Sequence, residues 1–208
     1  MRKVLNYIIY FIYCSFCFGV AGYAFYFLLQ PLDPNNGFQV KMFSSGIQVP
    51  IHFIASGIAL LIIPFQLSKK LRKFSIKLHR QIGKIYTLAV LLGGISGLIM
   101  AFNASGGLYA KMGFTLLSLV WLYTTFNAVK YALEGNIAKH KRWIYRSIAV
   151  TSAAISLRLF LGIGLGVFHL SFFSVYIPAS WLCWILNLII CEIILVKKQD
   201  AVRVNAVA

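Results

Sequence analysis

The chain has 208 residues, of which 60% are hydrophobic, with a mean hydropathy of +0.81 and only four acidic residues against twenty basic ones. Such a composition excludes an ordinary water-soluble globular domain, in which charged residues are about twice as frequent. A net charge of +16 would suggest nucleic acid in a soluble protein. In a chain this apolar it is what a cytoplasmic membrane face demands, so no nucleic acid is expected and anionic lipid headgroups are the expected partner.

A hydrocarbon layer of about 30 Å takes roughly 20 residues of helix. Six apolar stretches reach that length, at about 6–29, 48–67, 83–102, 112–133, 144–168 and 175–196. Backbone groups in lipid must pair within their own segment, so stretches of this length are helices; barrel strands would be shorter and alternate in polarity. The fold class expected is therefore all-α, a polytopic bundle of about six transmembrane helices forming one membrane domain over 1–208. The first stretch begins like a signal peptide, with Gly22-Tyr23-Ala24 as a cleavage-like site. Its apolar run continues to Leu29, beyond the length of a signal's apolar core, and is read as an uncleaved span.

Charge sets the orientation. Lys69, Lys70, Arg72, Lys73, Lys77, Arg80 and Lys84 crowd the connection between the second and third spans, and Lys130, Lys139, Lys141, Arg142 and Arg146 mark that between the fourth and fifth. Arg2, Lys3, Lys197, Lys198 and Arg203 lie at the two ends, whereas the intervening connections hold only Lys41 and Lys111. The positive-inside rule then predicts a cell (inner) membrane protein with both termini cytoplasmic.

Cys14, Cys17, Cys183 and Cys191 all fall within spans and read as packing residues, because lipid-embedded thiols react poorly. Gly93, Gly94 and Gly97 in the third span, and Gly162 and Gly166 in the fifth, have the small-residue spacing that lets helices approach closely. Leu78-His79-Arg80 and Lys139-His140-Lys141-Arg142 form a faint echo, each placing a histidine in a basic cluster just before a span.

Arg158 is the least ordinary residue, lying well inside the fifth span, where a charge costs at least about 2.5 to 3.5 kcal/mol to insert. It sits roughly 21 Å along that helix from Ile144, past the midplane, and is expected to face the bundle interior, a cavity or a small-molecule anion. The structural alternative is an arginine that bonds backbone carbonyls at a helix break or snorkels outward. His52 lies only about 6 Å inside the same outer surface. An outer-half polar site of His52, Arg158, Gln48 and Asn103 is coherent, with an interhelical hydrogen bond as the structural reading of His52.

His79 and His140 lie at the cytoplasmic edge and His169 ends the fifth span on the outer side. Two histidines per face is the layout of b-type cytochromes that hold haem through imidazoles, with basic residues pairing the propionates. His52, His79, His140 and His169 are the iron ligands to be expected if haem is bound, and haem b or a quinone are the cofactors considered. Against this, His140 and His169 are separated by about 43 Å of helix, longer than the hydrocarbon core. Catalytic carboxylates are scarce: Asp33 and Glu134 fall in loops, Asp200 in the tail, and only Glu192 within a span, one turn from Lys197, where it is expected to snorkel or to pair locally.

The second span, His52-Phe53-Ile54-Ala55-Ser56-Gly57 through Pro64-Phe65-Gln66, resembles the opening motif of the bacterial predicted membrane proteins grouped as domain of unknown function 2306. Leu78-His79-Arg80-Gln81-Ile82-Gly83-Lys84-Ile85-Tyr86, then Trp121 to Asn127, then His140 to Ser147 and Leu157-Arg158-Leu159 continue the resemblance in order, with Lys141 and Tyr145 where Arg and Met are expected. The resemblance implies fold and location and no activity. It makes His52, His79, His140 and Arg158 the first residues to examine. The functional expectation is a haem- or quinone-linked membrane redox protein, against a small-molecule or anion transporter built on Arg158 or a structural accessory subunit.

Overall fold

The structure, a computed structural model, describes residues 2–207, and side chains over 4–37, 39–42 and 44–197. Arg2, Lys3, Lys198, Asp200 and Arg203, named above, lie outside the described side chains. The described residues are all-α: α1 (Arg2–Leu29), α2 (Gly37–Ser44), α3 (Gln48–Leu67), α4 (Lys69–Phe74), α5 (Ile76–Phe102), α6 (Gly107–Leu133), α7 (Ile137–Thr151), α8 (Ala153–Gly166) and α9 (Phe172–Val207). Among the described residues, six apolar spans are long enough to cross a membrane: Val4–Leu29, Gln48–Leu67, Ile76–Phe102, Gly107–Leu133, Ile137–Gly166 and Phe172–Lys197.

Two spans start seven residues before the hydropathy reading, and one of them is broken within, each for a local reason. The third span starts at Ile76 because Ser75 caps it, its side chain accepting from the Leu78 N–H, so His79 and Arg80 lie in the helix and not in a loop. The fifth starts at Ile137 because Asn136 accepts from the Lys139 N–H in the same way. That span is also broken at Ser152. There Thr151 and Ser152 turn their hydroxyls back onto the carbonyls of Ser147 and Ile148, both at 2.8 Å, a pattern that bends helices.

The chain forms two compact units, Met1–Gly107 and Leu108–Ala208. In the first, α3 lies between α1 and α5. Phe27 stacks on Phe53, ring centroids 5.0 Å apart, at one end of the α1–α3 pair, and the Tyr10 hydroxyl donates to the Pro64 carbonyl at 2.7 Å at the other, which makes the pair antiparallel. Gly57 lets α1 come close: a Cβ there would lie 2.8 Å from the Phe25 ring. On the other side of α3, the Gln66 side chain donates to the His79 carbonyl at 3.0 Å, and Ala55, Ala59, Gly93 and Gly94 are buried.

In the second unit, α9 packs along α7 and α8, with Ala153, Cys183 and Trp184 at the centre of a cluster joined by Leu117, Val120, Leu157 and Phe160. Gly113 of α6 receives Ser180, whose Oγ would lie 2.6 Å from an added Cβ. Gly164, and not Gly162 or Gly166, is the packed glycine of α8: a Cβ would meet Val175 at 2.6 Å, while the other two face open space. Residues two apart on a helix point to nearly opposite faces, so the 162/166 pair cannot share the contact made by 164.

Candidate functional site

His52 stands on α3 against α5. Its Nδ1 lies 2.8 Å from the Gly93 carbonyl oxygen. A carbonyl only accepts, so Nδ1 carries the proton and, in the neutral ring, Nε2 keeps its lone pair. That nitrogen faces the Ser56 hydroxyl, one turn along, across a long 3.5 Å. The carbonyl it binds belongs to a buried glycine, where the absence of a side chain lets the imidazole reach the α5 backbone.

His140 repeats the arrangement in the second unit. Its Nδ1 lies 2.8 Å from the Ala128 carbonyl of α6, which again fixes the proton on Nδ1. The same α6 and α7 faces carry two more bonds farther along: the Thr125 and Ser147 hydroxyls meet at 2.6 Å, and the Trp121 Nε1 donates to the Thr151 Oγ1 at 2.8 Å. Trp121, Thr125 and Ala128 therefore form one stripe of α6, and Thr151, Ser147 and His140 its antiparallel counterpart on α7.

His79 lies in the first turn of α5, half-buried, with its carbonyl held by Gln66 and its Nδ1 buried. His169 is exposed beyond the end of α8, at φ 51°, in the turn where the Leu170 N–H bonds back to the Gly164 carbonyl. Arg158, half-buried on α8, donates through Nη1 to the carbonyl of Ala154, one turn back on its own helix, at 2.9 Å. The bonded carbonyl lies in the first turn of α8, two residues past the break at Ser152. Two residues earlier on α8, Ser156 donates to the Asn187 side chain at 2.9 Å, and Asn187 donates to the Ala149 carbonyl at 3.2 Å. Gln48 opens α3 with its side chain folded onto the Ser45 carbonyl, and Asn103 ends α5, exposed. His52, His79 and Gln48 belong to the first unit, Arg158, His140 and His169 to the second.

The carboxylate pairing differs from expectation. Glu192 takes Arg146 of α7 in a two-pronged pair, Nε to Oε1 at 2.5 Å and Nη2 to Oε2 at 2.9 Å, instead of Lys197 on its own helix. The Arg146 guanidinium also lies over the Trp143 ring, 4.7 Å from its centroid. Only the α7–α9 packing brings these residues together, so no local spacing announces the pair. A fork of two parallel bonds fixes the carboxylate's orientation toward α7.

The sequence profile of one family, described as predicted membrane protein (DUF2306), matches residues 49–195. The chain belongs to that family. The match runs from the second residue of α3 into α9, so this DUF2306 protein shares with its family every helix that carries His52, His79, His140 and Arg158. Family membership and the six apolar helices together make it a multi-pass membrane protein. No curated protein and no solved structure matches the chain. Among the described residues, no three His, Cys, Asp or Glu side chains converge as a protein-only metal site.

Proposed function

We propose that this DUF2306 protein is a membrane redox protein whose imidazoles hold a haem b-type cofactor, with both termini in the cytoplasm of a cell-membrane orientation set by its basic connections. The observation that carries the reading is the shared geometry of His52 and His140. Each donates Nδ1–H to a backbone carbonyl of the neighbouring helix at 2.8 Å. Metal-bound histidines are held in this way, because the outer bond fixes ring orientation and tautomer and turns the Nε2 lone pair toward the iron. Haem needs only one or two such ligands from protein, the porphyrin supplying the rest.

The same tautomer weighs against the quinone alternative. A quinone carbonyl needs a donor, and a neutral ring whose only N–H is spent on the backbone offers none. An anion transporter built on Arg158 is also less favoured, since one guanidinium nitrogen is engaged by Ala154.

The test is a dithionite-reduced minus air-oxidised visible spectrum of detergent-purified protein expressed with ample haem supply. A b-type band weakened by His52→Ala or His140→Ala supports the reading. A spectrum without any band, from folded protein, overturns it in favour of the accessory role.

A further inference from the structure

The first unit contains an open cleft of about 540 Å³ where the amino-terminal half of α1, the end of α3 and the short α4 meet. That volume falls within the range of about 300 to 1,000 Å³ typical of small-molecule sites. Its walls are largely apolar, from Cys14, Phe18 and Phe65, with the two rings in an edge contact at 6.5 Å between centroids. Its polar lining is confined to one kind of chemistry. Ser68 presents a hydroxyl and Lys70 an ammonium, while the Tyr10 hydroxyl is bonded to the Pro64 carbonyl. The Ser68 Oγ accepts from the Leu71 N–H, a bond that leaves its own O–H to donate.

Among the described residues no acidic side chain lines the cleft, and α4 adds Lys69, Arg72 and Lys73 beside Lys70. The cleft lies at the end of the second span, where acyl chains give way to headgroups. An apolar trough ending in a lysine and a hydroxyl donor, within a cationic helix, matches a molecule with a hydrocarbon tail and an anionic phosphate head.

We infer that this cleft is a binding site for one anionic phospholipid, with an acyl chain along Cys14, Phe18 and Phe65 and the phosphate at Lys70 and Ser68. The site goes beyond general attraction of the basic face, because it ties selectivity to one lysine and one apolar wall. It is independent of the redox reading.

The experiment counts bound lipid by native mass spectrometry on detergent-washed full-length protein, offered phosphatidylglycerol, phosphatidylcholine of the same chains, or inorganic phosphate alone. One phosphatidylglycerol should be retained where phosphatidylcholine is not. Lys70→Gln should weaken retention roughly fivefold, the weight of one lysine beside an anionic lipid. Cys14→Trp, which fills the trough, should abolish it, whereas Lys77→Gln, exposed and outside the cleft, should leave it unchanged. Lys70→Gln replaces an exposed side chain and keeps the test decisive even if Cys14→Trp does not fold. Equal retention of the two lipids, equal losses in Lys70→Gln and Lys77→Gln, phosphate binding as tightly as lipid, or a dimer in place of a lipid adduct would each overturn the proposal.

Discussion

The two units bond their helices differently. In the first, the interhelical side-chain bonds described above end on backbone carbonyls: Tyr10 on Pro64, His52 on Gly93, Gln66 on His79. In the second, many join side chain to side chain, as in Trp121 with Thr151, Thr125 with Ser147, Ser156 with Asn187 and Arg146 with Glu192. The difference teaches which contacts a sequence can edit. A side-chain pair can be deleted from both ends, whereas a carbonyl stays after its donor is removed. His140 on Ala128 belongs to the first kind although it lies in the second unit, which is one reason to group it with His52.

Close packing gives the sharpest way to break the comparison. Gly113→Leu should destabilise the second unit by about 3 kcal/mol, because the added atoms meet not only the Ser180 hydroxyl but its backbone oxygen, 3.0 Å from the Cβ position. Gly57→Leu should cost about half of that, since its obstacle is the Phe25 ring, which can swing. Unfolding in SDS titrations of the two variants reads the ordering, and a larger loss for Gly57→Leu would contradict it.

The next effect concerns the hydroxyl pair. Thr125→Val should lose about 1 kcal/mol, because it removes a hydroxyl bonded to both Ser147 and the Trp121 carbonyl, and Ser147→Ala less, because Thr125 keeps its bond to that carbonyl. The double variant should lose clearly less than the sum, which a double-mutant cycle measures directly. No paired replacement can rescue His52→Leu in this way. The smallest effect belongs to Glu192. Glu192→Gln should cost less than about 1 kcal/mol, since the side chains of Arg146 and Glu192 remain 24% and 45% exposed. Additivity with Arg146→Gln, measured in the same titration, would show the pair to be ornamental.

Much of this was legible in the sequence. Hydropathy marks all six spans because the lipid requirement acts on every residue of a helix at once. Capping boundaries were partly legible too: Ser75 and Asn136 stand at the true starts of α5 and α7, but apolar counting overrides such single-residue signals. The break at Ser152 hides inside unbroken apolarity and shows only in the adjacent Thr151 and Ser152 hydroxyls. Arg158 stands out in the sequence as a charge within a span, but the sequence does not say that its side chain turns back onto the Ala154 carbonyl. The Arg146–Glu192 fork and the Gly93 and Ala128 carbonyls under the imidazoles are tertiary facts. Residues 46, 41 and 12 positions apart in the chain carry no local spacing that would pair them.

The central claim is that His52 and His140 are held for metal ligation, one in each unit. Potentiometric titration of the purified protein, followed in the visible region, tests it most directly. The account predicts a haem transition that is lost or shifted in His52→Ala or in His140→Ala. A folded protein with no haem signal, or one whose transition survives both substitutions unshifted, would contradict it.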